Sequence, residues 1–111
     1  MITKTEAAGP AANGHLPDEI AQCACRIDEI DRRIVDLLLD RFRHSRHIGA
    51  MKATLGAEPF DPGRVRAQRR FFVESCVGGG LDGDMAETLI DSILQQVISE
   101  RTGSSAGGQA D

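Results

Sequence analysis

Apolar residues recur along this chain with the period of a helix. Ile20, Cys23, Ile27, Ile30, Ile34 and Leu37 keep a heptad rhythm, and Ile48, Met51 and Leu55 continue the same stripe. The pattern predicts one helix from Pro17 to Leu55, roughly 58 Å long at 1.5 Å per residue. Pro17 suits a first helical turn, Asp18 and Glu19 complement the positive helix end, and Gly56 ahead of Pro59 provides the stop. A heptad seam of this length needs a facing helix, and with so little chain left over the expected partner is a second copy.

Asp61-Pro62 reads as an N-cap followed by a residue tolerated at the first helical position, so a second helix is expected from there to about Val77. Its apolar face is thin (Val65, Phe72, Val73, Cys76), and Arg64, Arg66, Arg69 and Arg70 make it basic. Gly78-Gly79-Gly80 breaks it. Leu81 and Asp82 lead into a third helix with a broad stripe of Met85, Ala86, Leu89, Ile90, Ile93, Leu94, Val97 and Ile98. Residues 1–16 and 102–111 carry no periodicity and are expected to be disordered tails around one helical domain at residues 17–101. The expected fold class is all-α, three helices with a long first one.

Composition narrows the partners. At 111 residues, with a 41% hydrophobic fraction, four Phe and no Trp or Tyr, the chain can build only a small core, which again favours oligomerisation. A net charge of -4 and a pI near 5.3 give no footprint for nucleic acid or an anionic membrane. No apolar run approaches the roughly 20 residues that cross a bilayer. Three Cys without a cleavable leader fit a soluble protein of the reducing cytoplasm.

Against that acidic background, Arg41 and His44 interrupt the apolar seam. A guanidinium there needs an anion, because an unpaired buried charge is costly. Lys52 follows Arg41 by eleven residues, which at about 100° per residue returns to nearly the same face, roughly 16 Å along the axis. Arg64 adds a cation in the first turn of the second helix, where an anionic ligand would offset the helix dipole, and Asp61 adds an acceptor for a hydroxyl or ammonium. The residues alone leave two explanations open: a small dicarboxylate held by these cations, or an ion pair between Arg41 and a partner chain's carboxylate.

Arg26-Ile27-Asp28-Glu29-Ile30-Asp31, then Ile34, Leu37-Leu38, Arg41, Ile48-Gly49, Lys52 and Asp61-Pro62-Gly63-Arg64 resemble the all-helical type of chorismate mutase, over about residues 20–101. The resemblance implies an intertwined homodimer with two equivalent active sites. It also implies conversion of chorismate to prephenate by a Claisen rearrangement, without metal or cofactor. On matching positions, Arg41 would bind a substrate carboxylate, and Lys52 a carboxylate and the ether oxygen. Asp61 and Arg64 would serve the ring-hydroxyl side.

Four positions depart from that pattern. Ala24 stands where the family carries an Arg lent to the neighbouring subunit, Val65 where a Glu follows Arg64, and Val97 and Arg101 where a Ser and a Gln are usual. The resemblance puts Val65 and Val97 against the substrate and makes Arg101 a candidate catalytic cation, replacing either the missing Arg or the Gln at the ether oxygen. The same scaffold also carries 4-amino-4-deoxychorismate mutases, similar in their P-G-R-V turn, and isochorismate pyruvate lyases. A catalytically silent metabolite sensor or partner-binding dimer is the non-enzymatic alternative.

Cys23 and Cys25 lie about three turns from His44 and His47 on one helix, so one chain cannot close a zinc site with them. The triple glycine lacks the strand and the Lys of a phosphate loop.

Overall fold

The computed structural model describes residues 17–110, with side chains as far as Gly103. The expectation for residues 1–16 lies outside the described residues. The fold is all-α: α1 is Asp18–Leu55, α2 Pro62–Gly78 and α3 Gly83–Ala110. No strand occurs among the described residues.

Each helix ends where its local chemistry stops it. Pro17 stands just outside α1, its carbonyl accepting from the Ala21 N–H at 3.1 Å. At the other end Gly56 adopts φ 68°, a left-handed conformation open to glycine. The Gly56 N–H then reaches the Ala53 carbonyl at 3.2 Å and the Ala57 N–H the Lys52 carbonyl at 2.9 Å, a Schellman closure. Gly80, at φ 95°, does the same for α2, with Leu81 N–H to Cys76 O at 2.9 Å. Asp82 opens α3 by accepting from the Met85 N–H at 2.9 Å.

The sequence placed the end of the third helix at Arg101, because Gly, Ser and Ala beyond it carry no apolar period. The helical backbone continues to Ala110. No proline interrupts that stretch, and Thr102 Oγ1 donates back to the Ile98 carbonyl at 2.8 Å.

Two compact units divide the chain, one ending at Arg41 and the other beginning at Phe42. The first contains the amino-terminal part of α1. Its apolar stripe is uncovered: Ile20, Ile27, Ile30 and Ile34 are exposed, Leu37 is 68% exposed, and no residue of α1 is buried.

The second unit holds the rest of α1 with α2 and α3. Here α2 packs against α3, and the core is a single line along α3: Ala86 at 0% exposure, Ile90 at 2%, Leu94 at 6% and Val97 at 9%. The line steps by four, four and three residues, one helical face. Arg69 joins the helices at the surface as a two-pronged pair with Asp91, Nε to Oδ1 at 2.7 Å and Nη2 to Oδ2 at 3.2 Å.

Candidate active site

The second unit contains a hollow of about 340 Å³, within the usual size of small-molecule sites. Residues with little or no side chain line it, Gly49, Ala50 and Ala53 near the carboxy-terminal end of α1 and Ala57 just past that end, and their small size leaves the space open. Lys52, Ser45 and Arg46 rise from α1 around it, Pro59 comes from the connection to α2, and Glu100 and Arg101 from α3.

Arg101 is the hub. Its Nη1 donates to the Pro59 carbonyl at 2.9 Å, and its Nη2 to the Ser45 carbonyl at 3.3 Å and the Ser45 hydroxyl at 3.1 Å. The guanidinium lies over the Phe60 ring at 5.8 Å from the centroid. Its stem passes close to Gly49, where a built Cβ would meet Arg101 Cγ and Nε at ordinary contact distance, 3.6 Å. Nε itself is buried, with no hydrogen-bond acceptor among the described residues. None of these partners is anionic, so among the described residues Arg101 is held by neutral oxygens.

Beside it, Glu100 is spoken for. Arg46 binds it through Nε to Oε1 at 3.0 Å and Nη2 to Oε2 at 2.8 Å, and Gln96 Nε2 donates to Oε2 at 3.1 Å. The hydrogen bonds from Arg46 and then Gln96 hold the Glu100 carboxyl below the ordinary glutamate range, and the same pair raises Arg46. Lys52 is half-buried on the hollow, and among the described residues no carboxylate is bonded to it. Three cations thus share the lining with one carboxylate, a net +2. In a chain of net charge -4, that is a local excess of positive charge.

Of the residues expected from sequence, Lys52 and Arg101 come together here. Asp61 is the N-cap of α2: its Oδ1 accepts from the Gly63 N–H at 3.1 Å and the Arg64 N–H at 3.3 Å, with φ -114° and ψ 101°. Arg64 is exposed and Val65 half-buried in the first turn of α2, and neither they nor Asp61 line the hollow. Val97 belongs to the buried line of α3. Arg41 is half-buried and is the last residue of the amino-terminal unit.

Sequence reasoning missed Ser45, Arg46, Glu100 and Pro59. Ser45 was within reach of it, since Ser45, Gly49 and Lys52 follow i, i+4, i+7 and share one face. Pro59 contributes a backbone carbonyl, which no side-chain pattern reveals.

No helix among the described residues is long and apolar enough to cross a membrane. No curated protein and no solved structure matches the chain. A family model described as chorismate mutase type II matches residues 24–102, a stretch that takes in most of α1, all of α2 and the part of α3 bearing Arg101. Since that stretch is well over half its length, the chain belongs to the chorismate mutase type II family, whose members are isomerases.

Proposed function

We propose that the cationic hollow around Lys52 holds the carboxylates of chorismate while the molecule rearranges to prephenate. The observation that supports this reading best is the meeting of Lys52 and Arg101 on one hollow, with no carboxylate bonded to either among the described residues. A dianion would neutralise the excess charge of the lining.

The chemistry asks little else of the protein. The ether C–O bond breaks as a C–C bond forms within the same molecule, and no proton is transferred. Rate is gained by holding a compact conformer and by stabilising the charge that separates as the ether bond lengthens. In this reading Lys52 sits beside the ether oxygen, where its charge acts more strongly on the polarised transition state than on the ground state. Arg41 takes a substrate carboxylate and Arg64 the ring-hydroxyl side, with Asp61 holding the turn that presents Arg64. Those three roles rest on the positions of the residues in the family pattern.

A second copy of the chain covers the apolar stripe of α1 in this reading, because Ile27, Ile30, Ile34 and Leu37 are exposed in a single chain at helical spacing. A reducing cytoplasm suits its three free thiols, Cys23, Cys25 and Cys76.

Purified full-length protein is incubated in parallel with chorismate, 4-amino-4-deoxychorismate and isochorismate, following loss of the cyclohexadiene absorbance and the products. Prephenate formation from chorismate well above the uncatalysed rate is expected. Preference for the amino analogue, or salicylate from isochorismate, would reassign the substrate. Binding of chorismate without turnover would make the chain a sensor.

A further inference from the structure

We infer that Arg101 is a positioning residue, which fixes the walls of the Lys52 hollow through Ser45 and Pro59 instead of clamping a substrate carboxylate. The inference rests on the hollow being the chorismate site.

The donors of Arg101 carry the argument. A guanidinium has five N–H groups on three nitrogens. Both terminal nitrogens of Arg101 are already engaged by protein acceptors: Nη1 by the Pro59 carbonyl, Nη2 by the Ser45 carbonyl and hydroxyl. The third nitrogen, Nε, is buried. Three of the five N–H groups are therefore engaged and the one on Nε is buried, which leaves a single N–H on Nη1 and no adjacent pair to grip a substrate carboxylate with two prongs. What Arg101 does hold is the two sides of the hollow. Ser45 lies two turns before Lys52 on the same face of α1, and Pro59 lies in the connection just past the end of that helix. One planar group on α3 spans both, with its Cζ 5.8 Å from the centroid of the Phe60 ring.

Planarity matters here more than charge. The fork reaches a carbonyl on one side and a carbonyl with a hydroxyl on the other, in directions a single ammonium cannot serve together. Arg101→Lys therefore keeps the positive potential of the hollow and loses the span. If Arg101 served as a charge for the substrate, that change would be mild; if it serves as a strut, it is as damaging as Arg101→Gln.

The test combines steady-state kinetics on chorismate with amide hydrogen exchange, using the full-length chain and Arg101→Lys, Arg101→Gln, Ser45→Ala and the Ser45→Ala/Arg101→Lys double variant. In both Arg101 variants kcat is expected to fall by roughly tenfold to a hundredfold with little change in KM, the signature of lost alignment with carboxylate binding intact. Ser45→Ala should lower kcat more weakly. The double variant should be no worse than Arg101→Lys, because both changes break one link. Exchange should rise over residues 56–61 in the Arg101 variants and stay as in the wild type elsewhere.

Retention of kcat within about twofold in Arg101→Lys would overturn the inference, as would additive losses in the double variant or unchanged exchange over 56–61. Should an Arg101 variant fail to fold, Ser45→Ala decides alone: unchanged kcat sinks the strut. A wild-type protein that does not turn chorismate over refutes the site reading instead, and the exchange pattern still judges the strut.

Discussion

Arg46 and Glu100 face each other as a two-pronged ion pair, 3.0 Å at one prong and 2.8 Å at the other, on the rim of the hollow. Both partners touch solvent, the Arg46 side chain 63% and the Glu100 side chain 22% exposed, so the pair adds only modestly to stability at neutral pH. Its signature is in the acid limb. The Glu100 carboxyl is held below its ordinary range by its hydrogen bonds to Arg46 and Gln96. A depressed carboxyl stabilises the folded chain above its unfolded value, near 4.3, and that contribution is lost as pH falls through the lower folded value. Asp91, held down by Arg69, acts in the same direction. Urea unfolding of wild type and Glu100→Gln at about pH 6 and about pH 3 is expected to show the smaller acid loss in the variant.

Lys52 forms no bond to the protein through its ammonium among the described residues, so its removal should spare the fold and damage the chemistry. Lys52→Gln is expected to lower kcat/KM for chorismate by about a hundredfold to a thousandfold, the range for deleting one preorganised electrostatic group. The urea midpoint should stay where it is. A variant with near-normal kcat/KM would remove Lys52 from the reaction.

Asp61 separates two roles that one residue could combine. As an N-cap, Asn serves nearly as well as Asp, whereas Ala costs about 0.5–2 kcal/mol. Asp61→Asn is therefore expected to match wild-type stability and activity, and Asp61→Ala to lose stability through the start of α2. Loss of activity in Asp61→Asn at unchanged stability would show that substrate needs the carboxylate itself.

The uncovered stripe of α1 predicts oligomeric state. Wild type is expected to sediment as a dimer, and Ile30→Asp with Ile34→Asp to shift it toward monomer with reduced helicity, since a long helix without a packed face is marginal in water. A double variant that stays dimeric would place the interface on another face.

The sequence spoke clearly where a residue acts on its own backbone. Gly56, Asp61 and Gly80 announced helix ends because left-handed φ and side-chain capping are local properties. Lys52 lines the hollow on the same face of α1 as Ser45 and Gly49, a placement that helical spacing alone can express. Contacts between distant segments were not legible. Met85 and Leu89 share the apolar stripe of α3 and are exposed in the single chain, where the buried line is Ala86, Ile90, Leu94 and Val97. The span of Arg101 could not be read either, since two of its three acceptors are main-chain oxygens brought near by folding.

That choice of acceptors decides which changes the connection between α1 and α2 can absorb. A carbonyl presents the same oxygen whatever side chain stands beside it, so position 59 can change identity and still answer Arg101. Register is another matter: one residue inserted between Lys52 and Gly56 would swing everything after it by about 100° around the helix axis and carry the oxygen away from its donor. The junction is permissive to substitution at position 59 and intolerant of insertion or deletion within the last turn of α1.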